Sequence, residues 1–416
     1  MLLTHPLSLY YNVSMGLFSK NSAGKERYVI ILDIGSGSVG GAVVALASDS
    51  TPEIRFSARK AISFQEHLSF PRFLTSMRKA LAEICGELAR AVPAQSPVER
   101  IFVTLASPWY ASQTRIVHYA RPEEFMLTEK GIAKLIEREI ELFRSSTLFA
   151  KSKQEQVPPE IMEAKNIRVS LNGYEVKSPF GKRATELDLA LYISLVSGPI
   201  HKAITEEIAI AWPHAPLHFS SFAFSAFDSI RDIFSDEACF LFVDISGEST
   251  DMSIIINNIL LESVSFPLGT NSLLRSFMQS SKTTAAAAAS ELETYLAGDI
   301  HDARADEIEH IVTLSLEEWS GSFGNALAQF AKEFPIPRVI FYTVDDAYGE
   351  VFENAMKQVR FSRFGGEDYV FALRRLGMKF LAKFVHAAGP EGQDSFLAVE
   401  AIFANKFSAL TAHRRN

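Results

Sequence analysis

The sequence predicts a mixed α/β protein made of two lobes, with a smaller α+β subdomain inserted along the chain. Two observations carry this prediction. One strand–turn–strand pattern occurs twice, and helix and hairpin patterns of another kind separate the copies. The 416 residues, 47% of them hydrophobic, suffice for more than one buried core. We expect a tail at 1–26, a first lobe at 27–100, the insert at 101–182, a return to the first lobe at 183–236, a second lobe at 237–360, and C-terminal helices with a tail at 361–416.

The first copy of the pattern begins with a short apolar run, YVIILD at residues 28–33, and resumes as a strand at 39–46. Between the two lie Asp33 and a turn of small residues, Gly35-Ser36-Gly37. Small residues let successive backbone N–H groups approach an anion closely. Helical spacing over 73–92 then predicts a helix beside this unit.

The insert carries its own helix and hairpin signals. It opens with a strand at 101–105, and Thr128 precedes an amphipathic helix over 130–143. Asn172-Gly173 between two apolar runs is typical of a type I′ hairpin. Residues 187–196, which we assign to the return to the first lobe, predict a further buried strand. Because these signals describe a separate α+β unit, we expect the two lobes to fold without the insert.

The second copy of the pattern is the strand ACFLFVD at 238–244, followed by a small-residue turn and a strand at 252–257. Asn257-Asn258 marks a turn into a third strand at 259–266. Asp244 therefore occupies the position that Asp33 occupies in the first copy. Such paired carboxylates can hold Mg²⁺, mostly through its water molecules, because Mg²⁺ dehydrates reluctantly.

The later part of the chain predicts further elements of the second lobe. Thr284 can cap an Ala-rich helix that Gly298 ends. Residues 338–342, RVIFY, form another buried strand. Residues 369–385 and 395–410 carry helical patterns.

Residues 35–40, GSGSVG, also match the dinucleotide-binding pattern GxGxxG. That motif requires a helix to begin within the glycines, followed by an acidic residue roughly 20 positions later. The β-branched Val39, Val43 and Val44 favour a strand here instead. We therefore disfavour the dinucleotide-binding alternative.

Composition bounds the partners and the compartment. The formal net charge is −8, and no basic block is long enough to follow nucleic acid. Cys85 and Cys239 lack metal or redox spacing, so we expect ordinary buried thiols in the cytoplasm. No apolar run reaches the roughly 18 residues that span a bilayer. The N-terminal residues make a poor signal peptide, and Met15 is an alternative start to Met1.

Several conspicuous residues have simple structural explanations. Trp109-Tyr110 is expected as a packed aromatic corner, and the run FSSFAFSAF at 219–227 as core. The histidines show no metal-ligand spacing. The last helix, around 396–410, fits a core helix of the first lobe better than a membrane tether.

The two turns resemble the phosphate motifs of the superfamily of actin, sugar kinases and heat-shock chaperone ATPases. Residues 33–44, DIGSGSVGGAVV, resemble the first motif. Residues 244–273 resemble the second motif in the form found in the bacterial cell-division family FtsA. Residues 101–115 and 167–187 are similar to the FtsA insert subdomain, which the related pilus-assembly family PilM shares. The resemblance implies an actin-like, ribonuclease H-like two-lobed α/β fold that binds ATP with Mg²⁺.

The resemblance also implies which residues form the nucleotide site, with Asp33 and Asp244 holding Mg²⁺ through water. The implied nucleotide-binding residues are Asp33, Gly35, Ser36, Gly37, Asp244, Ser246, Gly247, Glu248, Ser249, Thr250, Glu291 and Thr343. Two departures weaken this site. Ser246 and Glu248 stand where the family has glycines in the second phosphate turn. Asp345 and Asp346 lie in the turn after residues 338–342, the adenosine turn, where the family has a Gly-rich segment that holds the base and ribose. We expect crowding and charge repulsion there, hence weak ATP binding and little hydrolysis.

The resemblance implies a scaffold at the cytoplasmic face of the membrane. The implied partners are tubulin-like FtsZ, or pilus inner-membrane proteins if the chain is PilM-like, with self-association into filaments as a further option. Membrane contact is expected to be peripheral, through residues 15–18 or a partner. A sugar or acid kinase of the superfamily is disfavoured, because we find neither a substrate-facing Asp in the first lobe nor an intact adenosine turn.

Overall fold

The structure, a computed structural model, describes residues 27–46, 51–94, 96–145, 158–301, 303–359, 370–387 and 394–413. In chain order the strands are β1 (Arg27–Ile34), β2 (Ser38–Leu46), β3 (Glu53–Ala61), β4 (Val98–Leu105), β5 (Tyr110–Met126), β6 (Glu160–Leu171), β7 (Tyr174–Glu175), β8 (Arg183–Val196), β9 (Leu217–Ser221), β10 (Phe240–Ile245), β11 (Thr250–Ile256), β12 (Ile259–Phe266), β13 (Val339–Val344), β14 (Ala372–Arg375) and β15 (His386–Ala387). The helices are α1 (Phe70–Ala91), α2 (Glu129–Arg144), α3 (Gly198–Ala211), α4 (Phe222–Ile233), α5 (Thr270–Ser281), α6 (Ala285–Leu296), α7 (Ala303–Phe330), α8 (Gly349–Gln358), α9 (Met378–Leu381) and α10 (Ser395–His413).

Two of the sheets repeat one topology, as the doubled sequence pattern predicts. The first lobe has the strand order β15-β3-β2-β1-β4-β9, and the second has β12-β11-β10-β13-β14. In each, the second strand is antiparallel to the first and the fourth is parallel to it. Asp33 and Asp244 lie near the carboxyl ends of the matching central strands β1 and β10.

The hydrophobic cores follow from this topology. In the first lobe, α1 and α3 pack on one face of the sheet. In the second lobe, helices α5 to α8 cover one face. The remaining faces of both sheets enclose a shared cluster with α4 and α10, which includes Phe242 and Phe403. The two lobes are therefore joined by a continuous apolar core around α4 and α10.

The insert has different limits from those that the sequence indicated. Val98–Leu105 pairs in parallel with β1, so the run at 101–105 is an inner strand of the first lobe. The insert sheet has the order β5-β8-β6-β7, which brings Arg183–Val196 into the insert. Apolar patterning identified these strands, but only pairing decides which sheet a strand joins.

The expected limits 101–182 therefore include a strand of the first lobe, and we no longer expect that lobe to stay intact when these residues are removed. Their removal would delete most of β4 from the centre of the first-lobe sheet. Tyr192 of the insert is also fully buried against Phe224, with ring centroids 5.3 Å apart. The insert thus shares its core with the first lobe.

Residues 372–375, predicted as part of a helix, instead form β14, which pairs in parallel with β13. Backbone pairing with the open edge of β13 overrides the helical spacing. The segment extends the second-lobe sheet beyond the expected limit at 360. The last helix, α10, packs on the first lobe with buried Phe403 and Phe407, which confirms its prediction as a core helix.

Local signals in the sequence are confirmed where they specify short-range geometry. Asn172 and Gly173 have φ angles of 50° and 81°, as a type I′ hairpin turn requires. The Thr128 hydroxyl accepts the Gly131 N–H at 3.1 Å and caps α2. The tail at 1–26 and the basic residues at 414–415 lie outside the described residues. Among the described helices, none is long and apolar enough to cross a membrane.

Candidate functional site

The two predicted turns have the same backbone geometry. In the first, the Gly35 N–H donates to the Ser38 carbonyl at 3.0 Å. In the second, the Ser246 N–H donates to the Ser249 carbonyl, also at 3.0 Å. Each turn connects an antiparallel strand pair, β1–β2 or β10–β11. The structure therefore brings the two sequence motifs together as equivalent turns of the two lobes.

The turns bind each other directly. Ser36 donates from its hydroxyl to Ser246 Oγ at 3.0 Å. The Ser36 N–H points at the same oxygen, at 3.2 Å, and the Glu248 N–H donates back to Ser36 Oγ at 2.9 Å. Backbone and hydroxyl donors that suit an anion are thus used between the lobes.

The glycines of the two turns pack backbone against backbone. A Cβ added to Gly37 would lie 2.9 Å from Gly247 Cα, a distance that real Cβ atoms essentially never show. A Cβ on Gly247 would collide with the backbone of Gly37 in turn. Gly269, before α5, closes on the carbonyls of Ser246 and Gly247 in the same way. Gly37 and Gly247 thus serve close contact between the lobes, and Gly269 serves close packing within the second lobe.

Asp33 is engaged by an arginine that the sequence did not single out. Arg59 on β3 donates to Asp33 at 2.7 Å, to Asp394 at 2.6 Å and to Ser38 Oγ at 2.9 Å. Burial raises the pKa of Asp33, and the Arg59 charge opposes that rise. A guanidinium therefore faces this carboxylate.

The negative charge of Asp244 is less compensated by its surroundings than that of Asp33. Its carboxylate accepts the Thr343 hydroxyl at 2.7 Å. Burial raises the pKa of Asp244 well above its ordinary value, and the nearby charges of Asp251 and then Asp33 raise it further. Asp251 itself is held by Ser265 Oγ and by the Ser107 N–H. Burial and the neighbouring carboxylates therefore favour the protonated form of Asp244.

Glu248 does not point into open space between the turns, contrary to our expectation of charge repulsion there. It accepts from Arg275 Nη2 at 2.5 Å and from Asn271 Nδ2 at 2.7 Å. Both partners lie on α5, directly after the Gly269 N-cap. The charge of Glu248 is thus compensated within the second lobe.

In the segment that corresponds to the adenosine turn, the acidic side chains bind the local backbone and a neighbouring arginine. Asp345 accepts the Ala347 N–H at 3.1 Å and starts a short 3-10 helix, Asp346–Tyr348. Asp346 pairs with Arg375, whose guanidinium lies where a Cβ on Gly349 would be. The two acidic residues therefore stabilise the turn itself.

Other residues implied by the resemblance have structural partners. Thr250 is fully buried, donates to the Leu268 carbonyl at 2.7 Å and accepts the Trp319 indole N–H at 2.9 Å. Ser249 donates to the Ser107 carbonyl at 3.1 Å. Glu291 lies on α6 and pairs with Arg304 at 2.5 Å. These contacts place Thr250 and Glu291 in the framework of the second lobe.

The sequence did not indicate that residues 107–109, at the start of the insert, contact the two turns. Trp109 stacks on Phe73 at 4.7 Å and donates its indole N–H to the Gly35 carbonyl at 2.7 Å. Ser107 contacts Ser249 and Asp251 of the second lobe. The expected packed corner at Trp109 is confirmed, but no local pattern indicated that its neighbour would bridge the lobes.

The residues present do not fit ATP with Mg²⁺ in this arrangement. The turn glycines are in contact, Ser36 Oγ takes the Glu248 N–H, and Asp33 is paired with Arg59. A triphosphate would enter only after the two turns separate.

The repeated sheets and the opposed turns define the fold, an α/β, two-lobed actin-like fold. A chain of the PilM–PilN type IV pilus biogenesis complex has a TM-score of 0.61 to this chain at 14% sequence identity, covering 91% of this chain and 98% of that one. The ethanolamine utilization protein EutJ from Carboxydothermus hydrogenoformans has a TM-score of 0.44 at 12% identity, covering 92% and 91%. At these identities the likeness concerns the fold alone. No protein-family model and no curated protein matches this chain.

Proposed function

We propose that this chain is an actin-like scaffold that acts by binding protein partners, with a degenerate nucleotide site and little or no ATP hydrolysis. The observation that carries the proposal is the direct contact between the two turns, at Gly37 and Gly247. A site that catalyses phosphoryl transfer must hold the phosphates and Mg²⁺ in line with a nucleophile. In this chain, the turn groups that would hold the phosphates bind one another instead.

Calorimetric titration with ATP–Mg²⁺ tests the nucleotide part of the proposal. We expect a dissociation constant weaker than about 1 mM, and the double variant Asp33→Ala/Asp244→Ala to give the same titration as the wild type. Turnover should stay at background. Micromolar binding that the double variant abolishes, or turnover near ~10 s⁻¹, would show that the site is a working ATPase clamp.

The partner that we propose first is a pilus inner-membrane protein, reached from the cytoplasmic side. The likeness to the PilM chain of a PilM–PilN complex supports this choice, because it extends over 91% of the present chain. A cell-division role with tubulin-like FtsZ, or self-association into filaments, is the alternative. In the pilus role that we propose first, peripheral membrane contact would come through the partner.

Co-purification from the native cell, with the tagged full chain as bait, tests the partner class. The bait should recover pilus inner-membrane proteins equally with ATP–Mg²⁺, with ADP–Mg²⁺ and with a chelator, because the turn groups that would hold the phosphates bind each other. Recovery of tubulin-like FtsZ would favour the division role. Recovery that depends on ATP would contradict a degenerate site.

A further inference from the structure

A segment of the first lobe crosses to the second lobe beside the turns. Residues 62–69, which we call the strap, connect β3 to α1. Phe64 of the strap packs against the core of the second lobe. Arg275 on α5 donates its Nε–H to the Gln65 carbonyl at 3.1 Å, and its guanidinium carbon lies 5.3 Å from the centre of the Phe64 ring. One arginine of the second lobe thus holds the strap by a hydrogen bond and a cation–π contact.

Glu248 fixes the position of that arginine. Arg275 Nη2 donates to Glu248 Oε2 at 2.5 Å, while the strap takes the Nε–H. The Glu248 side chain is only 6% exposed, so its charge requires a close partner. The Glu248 N–H also donates to Ser36 Oγ of the first lobe. Glu248 therefore links the turn contact to the strap contact.

We propose that Glu248 and Arg275 form a latch that fastens the strap of the first lobe to the second lobe. The latch is made of the chain's own groups, the two side chains and the Gln65 carbonyl, so it holds the strap to the second lobe by protein contacts. A planar guanidinium suits this role because its separate N–H groups donate to the Glu248 carboxylate and to the strap carbonyl at once. This inference goes beyond the proposed function and does not depend on the partner.

A second arginine of the same lobe offers a matched control. Arg304 pairs with Glu291 at 2.5 Å and with Glu307 at 2.6 Å, and it lies 5.7 Å from the Phe277 ring centre. It has the same kinds of contact as Arg275, but these partners all belong to the second lobe. Replacing Arg304 removes ion pairs and a cation–π contact at a more exposed position, 37% against 18%, without touching the strap.

Amide hydrogen exchange of the full chain tests the latch. The readout is the peptide covering residues 62–69, where the Ser63 N–H donates to Ser76 Oγ at 2.7 Å and the Ser69 N–H to Gln65 Oε1 at 3.0 Å. Arg275→Gln should speed exchange in this peptide by roughly tenfold or more, since hydrogen bonds to charged groups are lost. Arg304→Gln should leave it unchanged. Glu248→Gln should act in the same direction as Arg275→Gln, by a smaller factor.

Arg275→Lys keeps the test decisive if Arg275→Gln does not fold. A lysine retains the charge beside Glu248 but lacks the fork that also reaches Gln65, so strap exchange should still accelerate. The latch is excluded if the folded Arg275 variants leave the strap peptide as slow as in the wild type. It is equally excluded if Arg304→Gln accelerates the strap as much, because the effect would then be general destabilisation.

Discussion

Ser36 Oγ of the first lobe accepts the backbone N–H of Glu248 of the second lobe at 2.9 Å. Both residues are buried, with exposed fractions of 1% and 6%. A buried N–H without an acceptor costs more than its hydrogen bond contributes when formed. The bond therefore makes the closed contact between the turns a measurable part of the stability of the protein.

Ser36→Ala should destabilise the folded chain by roughly 1–3 kcal/mol, because it leaves the Glu248 N–H without its acceptor. Chemical denaturation would measure the free energy of unfolding. Ser145→Ala, which removes an exposed hydroxyl bonded within its own helix, is the control and should change stability by less than about 0.5 kcal/mol. Equal effects of the two substitutions would show that the turn contact adds no stability.

Gly247→Ala should also destabilise the chain, by roughly 1–3 kcal/mol, because the new methyl group would meet the backbone of Gly37. The control is Gly324→Ala on α7, where a Cβ meets nothing within 4 Å. A helical Gly→Ala change of that kind should raise stability by up to about 1 kcal/mol. Opposite signs in the two denaturation curves are expected; a stabilising Gly247→Ala would contradict the close packing of the turns.

The two turn aspartates should respond differently to the same substitution at pH 7. Burial raises the pKa of Asp244 well above its ordinary value, which favours its neutral form, so Asp244→Asn, a neutral group of similar shape, should cost less than Asp33→Asn. Asp33→Asn removes one of the two charge partners of Arg59, whose pair with Asp394 remains, and should cost roughly 1.5–3 kcal/mol, as for a hydrogen bond to a charged group. Unfolding free energies of both variants decide this. A larger loss of stability in Asp244→Asn than in Asp33→Asn would mean that the folded protein is stabilised by the ionised form of Asp244.

Glu163 predicts a pH dependence at the junction of the insert and the first lobe. Its carboxylate accepts the Ser221 hydroxyl and the Ser194 hydroxyl at 2.9 Å each. Burial raises the pKa of Glu163 to about 7, against the opposing charge of Lys165. The folded chain keeps this proton up to about pH 7, whereas the unfolded chain releases it near its ordinary value of 4.5. Stability from this group is therefore full below pH 4.5 and is lost as pH rises through 7.

The loss amounts to an order of 3 kcal/mol across that window. Unfolding free energies at pH 5.5 and 8 should differ less in Glu163→Gln than in the wild type, because glutamine carries no proton to lose. Glu186→Gln, an exposed change on the insert, should keep the wild-type difference. A Glu163→Gln protein with an unaltered pH slope would show that this carboxyl does not titrate in the window.

The sequence alone determined the features that depend on neighbouring residues. The Asn172-Gly173 turn follows from the tolerance of these residues for positive φ. The Thr128 cap follows from a hydroxyl three residues before an N–H that lacks a helical acceptor. The doubled Asp-turn pattern likewise predicted two equivalent turns and hence the two-lobed α/β fold.

Only the tertiary structure decided which groups meet across long sequence separations. Arg59 reaches Asp394, and Arg275 reaches the strap at Gln65, although no spacing in the chain marks either arginine. The run at 101–105 likewise reads as a strand in any sheet, and its pairing with β1 assigns it to the first lobe. Short-range signals act through backbone angles and caps, whereas burial, ion pairing and strand partners depend on chain segments that folding alone brings together.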